Sequence, residues 1–400
     1  MKILQINSVV NSTSTGRIAE DIGRVLLANG NESYIAFGKG NRPSASKLTR
    51  IGNNFTVATH VVKTRLMDKH GFGSYKATKK LIKQIEKLQP DAIGLHNLHG
   101  YYINIEVLFN YLSESKIPAL WTLFDCWAFT GHCSYFDDIN CLKWKSHCHE
   151  CPKYRKYPAA WVDNSFNNFT LKKALFTSPA NIQLIVHSHW LANLVKQSFL
   201  KDLPIHITPS GVDIEVFKPQ NSTILKKNQI EDKRVILGCA NLWDNRKGLK
   251  DVIKLSSVLG DEYKVVIIGV SNKQKHELPP NVLGIERTES TQQLAEWYSA
   301  ADVFINPTRQ DNFPTTNIEA LACGTPVITY NTGGSPEAID KLTGIVVEKG
   351  DINGLKIAIE TIGSQDRKTI RKNCRERALK LFNKDDRFMD YLKLYEGLVK

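Results

Sequence analysis

The chain is poor in the features that mark secreted or membrane-spanning proteins. Eight cysteines in 400 residues are too sparse for a disulfide scaffold, so in a reducing compartment they would be free thiols or metal ligands. No stretch approaches the roughly 18 apolar residues of a membrane span. The opening segment MKILQINSVV has one lysine and too short an apolar run for a signal peptide. A cytoplasmic protein that does not cross the bilayer is therefore expected. There is no GxGxxG after the first apolar run, which argues against dinucleotide binding, no DxD-type metal pair in the second half, and no short repeat or low-complexity tract.

What is present points to two α/β domains. A length of 400 residues exceeds the size at which single cores stop growing, and an apolar fraction of 42% supplies two of them. Short β-branched runs alternate with helical patterns throughout: KILQINS, SYIAFG, AIGLHNL, PALWTLF, IQLIVHS and IHITPS, then RVILGCAN, KVVIIG, VLGIE, DVFINP, PVITY and GIVVEK. Continuous apolar strands separated by helices are the pattern of parallel sheets covered on both faces. The polar stretch 218–233 lies between the two sets and reads as a linker. It separates a first domain at 1–217 from a second at 234–382, while residues 383–400 carry apolar positions at helical spacing.

The net charge of +13, from 53 basic and 40 acidic residues, predicts an anionic partner. Residues 61–88 concentrate it, with eight Lys or Arg against Asp68 and Glu86. This stretch is either a solvated helix face or a patch for an anionic membrane surface or acceptor.

In open parallel sheets, ligands bind beyond the carboxyl ends of the strands. After the first strand, Gly16 precedes a helical stretch and either makes a plain turn or lets a phosphate or sugar approach the backbone. In the second half, Arg246 and Lys247 follow RVILGCAN just ahead of a helix, a fork of donors beside a point charge that suits two phosphate groups. After DVFINP, the stretch QDNFPTTNIEA places Asp311 before a helix opened by Pro314 and Glu319 more than a turn inside it. The amides of Thr315, Thr316 and Asn317 are then expected to be open to an anion. A helix dipole accounts for an acid at Asp311 but not for Glu319, because its effect fades within the first turn.

The acid, seven residues and second acid, followed by ALACGTPVITYNTGGSPE, resemble the E-x7-E motif of the retaining family 4 (group 1) glycosyltransferases. The likeness extends through SHWLANLV, ITPSGVDIEVFKP, NLWDNRKG and LAEWYSAADVFINP. The resemblance implies a GT-B fold, two Rossmann-like domains facing each other across a cleft, with the closing helix crossing back to the first domain. It implies that Arg246 and Lys247 hold the nucleotide diphosphate, that Glu319 bonds the ribose and Asp311 the transferred sugar, and that Phe313, Pro314, Thr315 and Thr316 contact sugar and diphosphate. No cofactor is then required for catalysis. Asp311 departs from the family's usual Glu, and Phe124 stands where the family's usual active-site His aligns. Asp125, Trp127 and His132 are near enough in sequence to rebuild an acceptor side, or to serve packing.

Cys133, Cys141, Cys148 and Cys151 form C-x7-C-x6-C-x2-C, which suits either a closed tetrahedral zinc that pins a loop or free thiols. Relatives with TGHC and CxxCP features build O-antigen, capsule or exopolysaccharide, which implies a nucleotide-sugar donor, a lipid-linked saccharide acceptor and an anionic inner-membrane surface as partners. A nucleotide-sugar-binding protein without turnover is the alternative. Nucleic acid is not expected, since nothing resembles a stacking platform or recognition helix.

Overall fold

The structure, a computed structural model, describes all residues except residue 41. It divides into two compact units, Met1–Thr208 with Phe388–Lys400, and Pro209–Arg387.

The first unit holds seven strands: β1 (Lys2–Val9), β2 (Glu32–Lys39), β3 (Lys47–Arg50), β4 (Ala92–Leu95), β5 (Ala119–Leu123), β6 (Ile182–Val186) and β7 (Ile205–Ile207). They form one parallel sheet in the order β3-β2-β1-β4-β5-β6-β7. Side chains alternate across it. Leu4, Ile93, Trp121 and Leu184 enter one core cluster, and their neighbours Ile3, Ala92, Leu120 and Ile185 enter another. Both faces are therefore covered, which is why these strands read as unbroken apolar runs.

The second unit repeats the scheme with β8 (Arg234–Cys239), β9 (Tyr263–Ile268), β10 (Val282–Ile285), β11 (Val303–Asn306), β12 (Val327–Tyr330) and β13 (Gly344–Val347). Their order is β10-β9-β8-β11-β12-β13, again all parallel. In each sheet the crossovers run outward in opposite directions from the first strand. This creates a switch point between β1 and β4 and another between β8 and β11.

Two boundaries differ from the sequence reading. The division falls at 208/209 rather than 217/218. The stretch 218–233 is no free linker: it carries the short helix Ile224–Lys227 and buries Ile224 and Ile230 in the core of the second unit. Two isolated apolar residues anchor it, too few to make a period. The final helix, Lys384–Val399, turns Phe388, Tyr391, Leu392 and Tyr395 onto Ile3, Ile22, Leu26 and Ala92 of the first unit. Their i, i+3, i+4, i+7 spacing forms one apolar stripe.

This packing is close. A Cβ at Gly94 of β4 would stand 2.3 Å from the Tyr395 hydroxyl oxygen but 3.5 Å from its ring carbon Cζ, and that buried hydroxyl has no hydrogen-bond partner among the described residues. Gly94→Ala should therefore destabilise the protein by about 1 to 3 kcal/mol through overpacking. Tyr395→Phe alone should be neutral or stabilising, and the double variant should recover most of the loss. Urea denaturation of the four proteins checks this; equal losses in both Gly94→Ala backgrounds would show that the hydroxyl is not the obstacle.

Candidate functional site

In the second unit, the switch point collects the residues singled out from the sequence. Arg246 and Lys247 lie in the loop after β8, and Asp311 lies in the loop after β11, the neighbouring strand. Lys247 Nζ is 2.6 Å from Asp311 Oδ2, and Arg246 Nη1 is 4.0 Å from the same oxygen. Arg246 also donates to the Gln310 carbonyl at 3.0 Å. The acid and the two cations thus form one partly exposed group. With side chains 19% and 15% exposed, the pair can be reached from solvent, and a phosphate arriving there would compete with Asp311 for Lys247.

Several residues passed over in the sequence hold this loop. Arg309 grips Asp251 with Nε to Oδ2 at 3.1 Å and Nη2 to Oδ1 at 2.9 Å. The Arg309 amide donates to the Arg246 carbonyl at 2.7 Å, tying the two loops together. Gly248, with φ +79°, leaves only 2.2 Å between a would-be Cβ and the Pro307 carbonyl oxygen. Gly333, with φ +55°, approaches the Asp311 carbonyl even more closely, so a side chain at either glycine would separate the loops. The Gly-Gly pair in NTGGSPE was the one sequence signal for this contact.

The helix after Asp311 is Thr315–Ala322, with Pro314 at its N-cap rather than inside its first turn. The Asn317 amide closes onto the Pro314 carbonyl at 3.2 Å, so the donors expected to be open narrow to Thr315 and Thr316. Both are partly exposed, whereas Phe313 and Pro314 are buried. Glu319 lies one turn further in, and its Oε2 accepts from the Tyr298 hydroxyl at 3.0 Å. Its charge reaches the end of β8. There burial, and after it Glu319, pushes the Cys239 thiol up to about 12.

In the first unit, three sequence-derived candidates prove structural. Gly16 sits in the first turn of the helix Thr13–Ala28, and a Cβ there would meet Val9 Cγ2 at 3.0 Å and the Asn11 amide at 3.2 Å. The packing of the helix on its own loop accounts for this glycine. His132 is wholly buried, with Nδ1 2.6 Å from Asp68 Oδ1, and the other Asp68 oxygen accepts from the Asn164 amide at 3.0 Å. Trp127 is 2% exposed, and the buried Lys172 ammonium stands 3.4 Å from its ring centre. Lys172 donates to the Trp127 and Thr130 carbonyls, while burial lowers it to about 7. His132 and Trp127 therefore knit the loop after β5 into the core, His132 wholly enclosed and Trp127 lining a small cavity beside Phe124 and Asp125.

Asp125 is different, because it retains some exposure and lies 2.9 Å from His99 Nε2. Phe124 packs between His96 and His187, with ring centres at 6.3 and 5.3 Å.

Cys133, Cys141, Cys148 and Cys151 line one small cavity with His132 and Trp144. Among the described residues, however, no group of three or more His, Cys, Asp or Glu is arranged to hold a metal ion. A hydrogen bond from Cys133 lowers Cys151 to about 7, and burial pushes Cys148 up to about 12.

Comparison with known proteins agrees with this geometry. Residues 220–381, which contain the whole second switch point, match the family described as Glycosyl transferases group 1. Over that segment the chain is similar to the group 1 glycosyl transferases. WcaC of Escherichia coli (strain K12), a glycosyl transferase named for colanic acid biosynthesis, is 23% identical over 368 residues, 88% of each chain. Among solved structures, sucrose-phosphate synthase from Thermosynechococcus elongatus superposes with a TM-score of 0.74 at 19% identity, covering 100% of this chain and 99% of the other. HepE from Anabaena, solved in complex with UDP-glucose, gives a TM-score of 0.69 at 14% identity, covering 99% of this chain and 100% of the other. The fold is the GT-B glycosyltransferase fold, with one Rossmann-like sheet in each unit.

The histidines around β4 and β6 carry a pH consequence. Burial lowers His60 and His96 from 6.5 to about 3 and His187 to about 4. A group whose folded value is depressed adds stability that is full above its unfolded value and is lost as pH falls towards the folded one. Stability should thus fall between pH 6.5 and about 5, by up to about 2 kcal/mol for each such histidine. His96→Gln should show a shallower fall than the wild type in urea titrations at several pH values; parallel slopes would mean that His96 protonates as readily folded as unfolded.

Proposed function

We propose that the protein is a retaining hexosyltransferase. It moves a sugar from a nucleotide diphosphate donor to a lipid-linked saccharide during synthesis of O-antigen, capsule or exopolysaccharide. The observation that carries the donor side is the meeting of Arg246, Lys247 and Asp311 at one switch point, with Glu319 a turn inside the adjoining helix. Arg246, Lys247 and the amides of Thr315 and Thr316 stabilise the leaving diphosphate, so this chain's own residues supply the charge that the reaction needs. Glu319 bonds the ribose, presented by Tyr298, and Asp311 orients the sugar once phosphate has drawn Lys247 away. The similarity to HepE makes UDP-glucose the first donor to try, and the similarity to WcaC supports a polysaccharide pathway.

Glu319→Ala should weaken nucleotide-sugar binding by about ten- to a hundredfold, the worth of charge-assisted hydrogen bonds. Asp311→Ala should slow transfer at least about tenfold, with affinity unchanged or tighter because Lys247 is released. Calorimetry and turnover with a panel of UDP-, GDP- and ADP-sugars check both, and the reverse pattern would refute the assignment. A second reading, a nucleotide-sugar-binding protein without turnover, is favoured by Phe124 at the position expected for histidine. Tight donor binding with neither transfer nor slow hydrolysis would establish it.

The lipid-linked acceptor requires a place at the cytoplasmic face of the membrane, as a peripheral protein. No helix among the described residues is long and apolar enough to cross a bilayer. The helix Asn54–Met67 exposes Phe55, Val62, Leu66 and Met67, and the helix Tyr75–Leu88 exposes Lys76, Lys79, Lys80, Lys83 and Lys87. Apolar side chains beside lysines suit an anionic lipid surface, each lysine near it adding about 1 kcal/mol. Vesicles containing anionic lipid should therefore carry the protein in flotation, and reversal of Lys76, Lys79, Lys80 and Lys83 to Glu should abolish this. Equal flotation with neutral vesicles would rule the patch out.

A further inference from the structure

The acceptor side has no histidine at position 124, yet the first unit holds an imidazole beside its own switch point. His99 lies in the loop after β4, and Asp125 lies in the loop after the adjacent β5. His99 Nε2 is 2.9 Å from Asp125 Oδ2, and Nδ1 is 3.1 Å from the Tyr157 hydroxyl. A carboxylate only accepts, so Nε2 carries the hydrogen and Nδ1 accepts from Tyr157. The remaining Asp125 oxygen accepts the Trp127 amide at 2.9 Å. An ionised carboxylate has about four lone-pair positions; two are used, and the side chain stays 16% exposed.

The loop that presents His99 is held rigidly. The Tyr102 hydroxyl donates to the Asn97 carbonyl at 2.8 Å, the Asn97 amide to Asn7 Oδ1 at 3.3 Å, and the Gly100 amide to His70 Nε2 at 3.2 Å. Tyr101 adopts φ +69°, a conformation costly for a bulky residue, and its ring packs tilted against that of His70, with centres 4.6 Å apart. Backbone strain held in place by surrounding contacts is a feature of preorganised sites.

The same loops enclose a small cavity lined by His96, Asn97, His99, Phe124, Asp125 and Trp127. Two of its buried polar atoms, His96 Nδ1 and Asn97 Oδ1, have no hydrogen-bond partner among the described residues. Each such atom costs about 1 to 3 kcal/mol if left unpaired, and His96 is only 1% exposed. Both accept: His96 Nε2 donates to Gln5 Oε1 at 2.8 Å, which leaves Nδ1 an acceptor, and Asn97 Oδ1 is an amide oxygen, so both would be satisfied by the O–H donors of hydroxyl groups.

We infer that the His99–Asp125 pair is the hydroxyl-binding element of the saccharide acceptor site, with Asp125 accepting the hydrogen bond of an acceptor hydroxyl. His99, steadied by Tyr157, is a positioning residue that fixes the carboxylate, while His96 and Asn97 offer further partners to neighbouring hydroxyls. The inference rests on the glycosyltransferase reading and supplies its acceptor half.

Saturation-transfer NMR on the full chain, with saturating UDP and the methyl α-glycosides of glucose, galactose, mannose and N-acetylglucosamine, tests it. At least one glycoside should bind the wild type. Asp125→Asn and His99→Gln should each weaken that binding by about tenfold, the scale of a charge-assisted hydrogen bond. Tyr157→Phe should weaken it by about threefold, and UDP affinity, measured by calorimetry in the same samples, should stay within about twofold. Unchanged glycoside affinity in the variants, or no glycoside bound by the wild type while UDP binds, overturns the inference. Should one variant fail to fold, shown by loss of UDP binding, the other two decide. Failure of the wild type to bind any nucleotide or nucleotide sugar would instead count against the glycosyltransferase reading itself.

Discussion

Each sheet is built outward from its first strand. Because β1 and β8 each pair in parallel with a neighbour on either side, successive crossovers must depart to opposite sides, and the loops at the carboxyl ends part where they do so. The two polar side-chain clusters lie in loops at or next to those partings. Arg246 and Lys247 meet Asp311 because β8 and β11 are adjacent, although the residues are 64 positions apart. His99 meets Asp125 because β4 and β5 are adjacent. Side chains distant in sequence are brought together by strand order alone, and the flanking glycines and Arg309 then set the distance between the loops.

The two clusters differ in what their surroundings do to charge. In the second unit, Arg246, Lys247 and Asp311 stay partly exposed and near solvent, a place where charges can exchange partners. In the first unit, burial dominates at His96, His187 and Lys172, lowering the two imidazoles to about 3 and about 4 and the ammonium to about 7. Exchangeable charge suits phosphate, which arrives and leaves with a nucleotide. Fixed hydrogen-bonding groups, the Asp125 carboxylate held by His99 among them, suit a sugar hydroxyl, whose recognition depends on direction.

Much of this was legible in the sequence, for identifiable reasons. Most of the strands were visible because both faces of a parallel sheet are buried and leave unbroken apolar runs, while the edge strands β7 and β13 were read from short β-branched runs. The exception, β3, is a four-residue edge strand, KLTR, that is mostly exposed and so carries no such run. On the donor side, residues were recognisable because loop, proline and acids recur in fixed order. Acceptor-side reading went astray at Trp127 and His132, since proximity in sequence to Asp125 says nothing about which way a side chain turns after a tight loop. His99, Tyr157 and Arg309 escaped notice because their partners lie on other elements, and only pairing of the strands brings them near. The stretch 218–233 looked like a linker because polarity was counted, whereas two buried isoleucines decide where it belongs.

The closing helix has a consequence for how the protein is made. The chain leaves the first unit near residue 208 and returns near 388, and the two passages run side by side, with Val212 bonded to Phe382 and Lys384. Phe388, Tyr391, Leu392 and Tyr395 cover Ile3, Ala92 and Leu120, the oldest part of the nascent chain. During synthesis this patch of the first sheet, on which Ile22 and Leu26 of the helix Thr13–Ala28 already pack, therefore gains its remaining cover only after residues 388–395 have been made. The second unit, contiguous between residues 209 and 387, is complete before that moment. Sequence order thus sets the whole of the second unit between the strands of the first unit and the helix that completes their cover.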